Sequence, residues 1–175
     1  VSDFELGCTL TDLSAAVIPA GKGFNVALVI KELGEDVTVV GLVPEFEIAR
    51  FKNYLMQYSI PSIFKSVHGS LRVNTTILQD NCNSSTHLSS TGPKLSVGIQ
   101  EEFLNLVHQS MVADTHWSFS GSIPHGFDDD IYAKMIKMCN NAGASSMLDS
   151  RGDPLKLGIR ARPTIVKPNH SEIEQ

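Results

Sequence analysis

Four short segments of this 175-residue chain hold residue types at spacings that can do chemistry. The first is Pro19-Ala20-Gly21-Lys22-Gly23-Phe24-Asn25. Gly21 and Gly23 let a ligand approach the backbone, and a helix starting here would offer free N–H groups and the positive end of its dipole. Lys22 adds a point charge, and the Asn25 side chain can cap the helix or bond a hydroxyl. The spacing is neither GxxxxGK[ST] nor GxGxxG, so the segment reads either as a tight turn or as an anion or polyol site. In the second, Leu71-Arg72-Val73-Asn74, the strand repeat puts Arg72 and Asn74 on one face. A guanidinium beside a carboxamide can grip the phosphate and a hydroxyl of one sugar phosphate. An exposed strand with polar residues outward is the plainer alternative.

The third segment, Phe119 to Gly126, follows a short apolar strand, and open α/β sheets bind ligands at such carboxyl ends. Ser120-Gly121-Ser122 offers hydroxyls and unobstructed amides there, while His125 reads as a surface loop histidine. The fourth runs from Ile165 to Glu172, with Lys167 ending a buried strand and Asn169 and Glu172 three apart where a helix begins. Positions i and i+3 of a first turn share a face, so Asn169 and Glu172 can together order a hydrated Mg²⁺. Lys167 can counter nucleotide phosphates beside them. The same spacing is a capping box, with Asn169 as N-cap and Glu172 at N3.

The elements that must position these segments alternate. Helix periodicity marks Asn25–Leu33 (stripe Val26, Ala27, Val29, Ile30, Leu33), Phe46–Tyr58, Ile99–Met111 and Asp128–Asn141, the last closed by Gly143. Strands are expected at Val37–Val43, Pro61–Val67, His116–Ser120, Ser145–Leu148 and Thr164–Val166. The alternation predicts βαβ units and a mostly parallel sheet. Val73–Gln79 instead alternates polar with apolar and predicts a half-exposed antiparallel strand. The Asn-, Ser- and Thr-rich stretch from Asn81 to Gly92 reads as a turn with an edge strand or as a flexible loop. The β-rich stretches at 1–18 and 68–91 suggest a small second sheet projecting from the first.

Composition narrows the partners. Hydrophobic residues make up 42% and charged residues 19%, as in ordinary globular domains. A net charge of −5 disfavours nucleic acid. From Ser150 onward five bases oppose three acids, so that end is locally +2, which suits a small anion or a merely solvated face. No apolar run approaches the ~20 residues of a membrane span. Cys8, Cys82 and Cys139 are odd in number and far apart, and read as thiols of a reducing compartment, the cytoplasm. The chain opens on Val1 and stops at Gln175 in a helix-like segment, which reads as a piece of a longer protein.

Taken in order, the segments resemble the phosphofructokinase-B branch of the ribokinase-like carbohydrate kinases. The matches are AGKGFNVALVIKELG at 20–34, RVNTTI at 72–77, TGPKLS at 91–96, SGSIPHG at 120–126, DSRGDPL at 149–155 and VKPNHSEIE at 166–174. The NVA and RVN motifs are nearer to the 1-phosphofructokinase and tagatose-6-phosphate kinase branch. The resemblance implies an α/β three-layer sandwich with a mostly parallel sheet and a β-sheet lid, the whole chain being part of one kinase domain with lid segments at about 1–18 and 68–91. It implies that Gly21, Lys22, Gly23 and Asn25 line the sugar site, that Arg72 and Asn74 reach the sugar phosphate from the lid, and that Ser122 bonds the substrate. Lys167 and Asn169 would face ATP, with Asn169 and Glu172 ordering Mg²⁺. It places the catalytic base beyond Gln175, so no catalytic residue is expected within the chain and the fragment alone is expected to be inactive. The expected function is therefore an ATP-dependent sugar-phosphate kinase, a homodimer through its lid. The alternatives are a kinase of an unphosphorylated sugar or nucleoside, disfavoured by Arg72 and Lys22, and a non-catalytic sugar-phosphate-binding relic.

Overall fold

The computed structural model describes residues 16–79 and 84–173. Helix α1 (Lys22–Glu32) leads into strand β1 (Val39–Pro44), a short 3-10 turn (Glu45–Glu47), α2 (Ile48–Met56) and β2 (Ser62–Val67). The hairpin β3 (Asn74–Gln79) and β4 (Ser84–Ser89) follows, then α3 (Ile99–Ser110), β5 (His116–Ser120), α4 (Ile131–Ala142), β6 (Ser145–Asp149), α5 (Gly152–Arg160), β7 (Ile165–Val166) and α6 (His170–Ile173).

Strands β1 and β2 pair in parallel, as do β5, β6 and β7 in that order. Helix α1 packs against both β1 and β5 and so spans the two parallel pieces. Side chains alternate across each strand, which sorts the helices into layers. Val39 of β1 and Phe64 of β2 meet Phe24, Ala27 and Leu28 of α1 and Leu55 of α2. Val40 faces the other way, into the largest core cluster, where α3 (Leu104, Val107), α4 (Ile131, Met135, Ile136, Cys139) and α5 (Leu155) pack on Phe119 and Leu148. The result is helices, sheet, helices. The parallel pairing expected from the alternating pattern and the α/β sandwich implied by the resemblance are both observed, and β3 pairs with β4 antiparallel, apart from the parallel strands.

Several expectations need correction. The ridge of α1 that packs inward is the buried Ala27 with the partly buried Phe24 and Leu28, while Val29 and Leu33 are exposed. The aromatic cluster decides this: Phe24 meets Phe51 edge to face at 5.1 Å and stacks on Phe64 at 6.4 Å. The helix also starts earlier than expected, with Gly21 as N-cap at φ 149°, a backbone that suits glycine. Asn25 therefore lies inside the first turns, and no side chain caps α1. Helix α5 was not expected, because Gly152, Pro154 and Gly158 disguise it as loop. The part of the 1–18 lid expectation on residues 1–15, with Cys8 and Cys82, lies outside the described residues. Cys139 is fully buried, and burial pushes its thiol up to about 11, so it is a thiol at neutral pH.

Candidate functional site

Strands β5 and β6 run in register from His116↔Ser145 to Ser120↔Asp149, and Leu148 pairs with Val166 of β7. Their carboxyl ends therefore arrive together, and the residues that follow each strand form one seam. Leu148, fully buried, points into the helix layer of α4 and α5. The next side chain, Asp149, points the opposite way, toward the N-terminus of α1. There its Oδ1 accepts a hydrogen bond from Lys22 Nζ at 2.8 Å. Its Oδ2 lies 3.5 Å from Lys167 Nζ. One carboxylate thus joins a lysine at the start of α1 to a lysine just past β7.

Exposure differs sharply across this cluster. The Asp149 side chain is 10% exposed, that of Lys22 49% and that of Lys167 64%. The anion is walled in while both cations keep a face toward solvent, so the seam presents net positive charge outward. Burial pushes the Asp149 carboxyl up, but the Lys22 hydrogen bond, the Lys22 charge and then Lys167 outweigh it and hold the group below the usual carboxylate range. Asp149 is thus a firm counter-ion and a poor proton acceptor.

The Ser-Gly-Ser turn is fastened to the same seam. Gly121 donates its N–H to the Asp149 carbonyl at 3.0 Å. Its own carbonyl accepts from Tyr132 Oη at 3.1 Å and Ser150 Oγ at 3.3 Å. Gly121 sits at φ 100°, which only glycine adopts readily, and a Cβ there would stand 3.9 Å from Lys22 Cβ. Burial drives the Tyr132 phenol up to about 12, with the Asp149 charge adding to the effect, so Tyr132 stays a neutral donor. Next along the chain, Ser122 Oγ accepts from Arg72 Nη1 at 3.1 Å. Arg72 leads into β3, so this bond carries the hairpin to the strand ends.

The expected residues are therefore partly assembled. Lys22, Lys167, Ser122 and Arg72 converge through Asp149 and Gly121. Asn74 accepts from Ser89 Oγ of the neighbouring strand at 2.8 Å. Gly23 and Asn25 lie exposed on α1 beyond the seam. Asn169 and Glu172 form the reciprocal capping box: Asn169 N–H donates to Glu172 Oε2 at 2.8 Å and Glu172 N–H to Asn169 Oδ1 at 2.9 Å. The residue sequence reasoning missed is Asp149. Its signal was available, since an acid directly after the apolar Met147-Leu148 marks a carboxylate at a strand's carboxyl end. A separate depression of about 570 Å³ lies along α2, lined by Pro19, Phe46, Arg50 and Tyr54 among others, away from these groups.

A family profile described as pfkB family carbohydrate kinase matches residues 5–175. The chain belongs to the pfkB family of carbohydrate kinases. A 1-phosphofructokinase of Haemophilus influenzae is 32% identical over 173 residues, covering 97% of this chain and 54% of that protein. The solved structure of a possible 1-phosphofructokinase from Thermotoga maritima superposes with a TM-score of 0.83 at 23% identity, over 97% of this chain and 55% of that one. Phosphofructokinase-2 of Escherichia coli in complex with fructose-6-phosphate gives a TM-score of 0.89 at 20% identity, over 99% and 57%. This pfkB-family chain thus spans about half the length of the relatives it matches, and it shares their ribokinase-like fold. Among its described residues no helix is long and apolar enough to cross a membrane.

Proposed function

We propose that the intact protein is an ATP-dependent sugar-phosphate kinase of the 1-phosphofructokinase or tagatose-6-phosphate kinase type. One observation carries this reading: two outward-facing lysines share a walled-in carboxylate at the strand ends, next to a serine reached by an arginine from the hairpin. Both substrates of such a reaction are anions, and a neutral sugar would have no use for Arg72. In this reading Lys22 and Arg72 hold the sugar phosphate, Ser122 bonds a substrate hydroxyl, and the Gly121 turn keeps Ser122 in place. Gly21, Gly23, Asn25 and Asn74 complete the sugar side. Lys167 and Asn169 face the nucleotide phosphates. No residue of this chain is assigned the role of base, since Asp149 is held ionised by two lysines.

Asn169 and Glu172 present only oxygen donors, which suits Mg²⁺. The capping box takes one of the two Glu172 carboxylate oxygens, and a carboxylate has about four lone-pair sites, so Glu172 can still help to order a hydrated ion there. When bound, Mg²⁺ would neutralise the polyphosphate. A homodimer through the hairpin is supported by the register, which puts Thr75 with Leu88 and Ile77 with Thr86 on the face opposite Asn74. The cytoplasm is the expected compartment. The test is turnover of fructose 1-phosphate, fructose 6-phosphate and tagatose 6-phosphate by the full-length protein with Mg²⁺-ATP, against free ribose. Phosphorylation of a hexose phosphate with little ribose turnover is expected. Equal use of ribose, or no turnover at all, would sink the reading.

A further inference from the structure

The Lys22, Asp149 and Lys167 side chains come from a helix start and two strand ends, and 127 residues separate the first pair in sequence. Each lysine takes a different oxygen of the one carboxylate. Asp149 cannot turn to water, being nearly enclosed, so its charge stays between the two ammonium groups. Each ammonium carries three donors and is about half exposed or more, so each can give hydrogens to an arriving phosphate while leaning on Asp149.

We infer that Asp149 is a positioning residue that couples the two anion-binding sides of the site, acting as a counter-ion shared between Lys22 and Lys167. This rests on the sugar-phosphate kinase reading and goes beyond it. An anion that draws Lys22 away leaves the Asp149 charge to Lys167 alone. That pair tightens, and Lys167 has less attraction to give a second anion. The same exchange runs in the other direction, as linkage requires. The shared carboxylate also keeps either lysine from following the first ligand across the seam.

The experiment is calorimetric titration of the full-length protein with fructose 6-phosphate or fructose 1-phosphate, alone and with a non-hydrolysable Mg²⁺-ATP analogue already bound. In the wild type the sugar phosphate is expected to bind about fivefold more weakly in the presence of the analogue. In Asp149→Asn each ligand alone should bind at least as tightly as to the wild type, and the ratio should fall toward one. Lys22→Gln removes the other end of the same link, so it should also flatten the ratio, and the double variant should flatten it no further. Lys22→Gln thereby reads the link even if Asp149→Asn folds poorly. A wild-type ratio of one overturns the inference and leaves the kinase reading standing. So does an unchanged ratio in a folded Asp149→Asn protein whose two ligands weaken alike, which is the signature of a purely structural role. A wild-type protein that binds neither ligand sinks the kinase reading and the inference with it.

Discussion

Lys22, Asp149 and Lys167 stand at the ends of elements packed against buried core, whereas Arg72 and Asn74 stand on a two-stranded hairpin whose Val73, Leu78 and Leu88 are all exposed. The strand ends inherit their precision from what lies beneath them: Phe119 and Leu148 side by side in register, with α4 and α5 packed over both. An isolated two-stranded hairpin is only marginally stable in water. The hairpin is held to the strand ends by the Arg72 bond to Ser122, and its two connecting segments touch where Gly69 meets Pro93. The contrast teaches a division of labour. The strand ends fix the positions of charge, and the hairpin supplies an exposed cation whose loss should leave the fold alone.

The largest effect should come from undermining the strand ends. Leu148→Ala removes a fully buried side chain next to Asp149, and a cost of about 2–5 kcal/mol in unfolding free energy is expected from chemical denaturation. The corresponding blow to the hairpin is Arg72→Ala. It should shift stability by no more than about 0.5 kcal/mol. It should lower kcat/KM for a hexose phosphate by roughly 10- to 100-fold, the worth of a hydrogen bond to a charged group. A large loss of stability in Arg72→Ala would show that the hairpin is part of the fold's foundation and would dissolve the contrast.

The parallel core was legible in the sequence because its signals are local. Val37–Val43 is rich in valine and Pro61–Val67 reads as extended, and α3 and α4 repeat their apolar residues at helical spacing. Helix α5 was not legible, because Gly158 is there for a tertiary reason. A Cβ at that position would come within 2.5 Å of Leu148 Cδ2 and 3.6 Å of Ile136 Cδ1. The face of α1 was misjudged for a similar reason, since Phe24 finds Phe51 and Phe64 only in the folded chain. Of the residues brought together at the candidate site, Lys22, Arg72, Ser122 and Lys167 stand in the family-like motifs. Asp149 was given no role, because its place after Met147-Leu148 marks only a strand-end carboxylate, and the two lysines that share it lie in other segments. Gly158→Ala tests the α5 argument directly. Helix propensity alone would favour alanine by about 0.5–1 kcal/mol. The clash should reverse the sign, giving a net destabilisation of about 1–3 kcal/mol that would loosen the floor beneath Asp149.

Smaller effects separate the two ends of the site by their chemistry. Glu172→Ala removes the acceptor for Asn169 N–H and should fray α6 at a cost of about 1 kcal/mol, with weaker nucleotide binding and unaltered sugar-phosphate binding.

The smallest effect concerns acid, and it sets the strand ends apart from the hairpin once more. The folded Asp149 carboxyl lies below its ordinary value of 3.8. A group depressed in this way contributes stability that is fully present above the unfolded value and is lost as pH falls through the folded one. The stability difference between wild type and Asp149→Asn should therefore be greatest near neutrality and shrink below about pH 4, a window that follows from the 3.8 reference. Solvent screening on the lysine side keeps it modest, because Lys22 and Lys167 are half exposed or more. Arg72→Ala should show no such acid dependence, since its partner is the Ser122 hydroxyl, which does not titrate in this range. Denaturation curves at pH 7 and pH 3 for both variants decide it. A wild-type to Asp149→Asn difference that stays constant with pH would mean that Asp149 holds the strand ends by shape and hydrogen bonding alone, not by its charge.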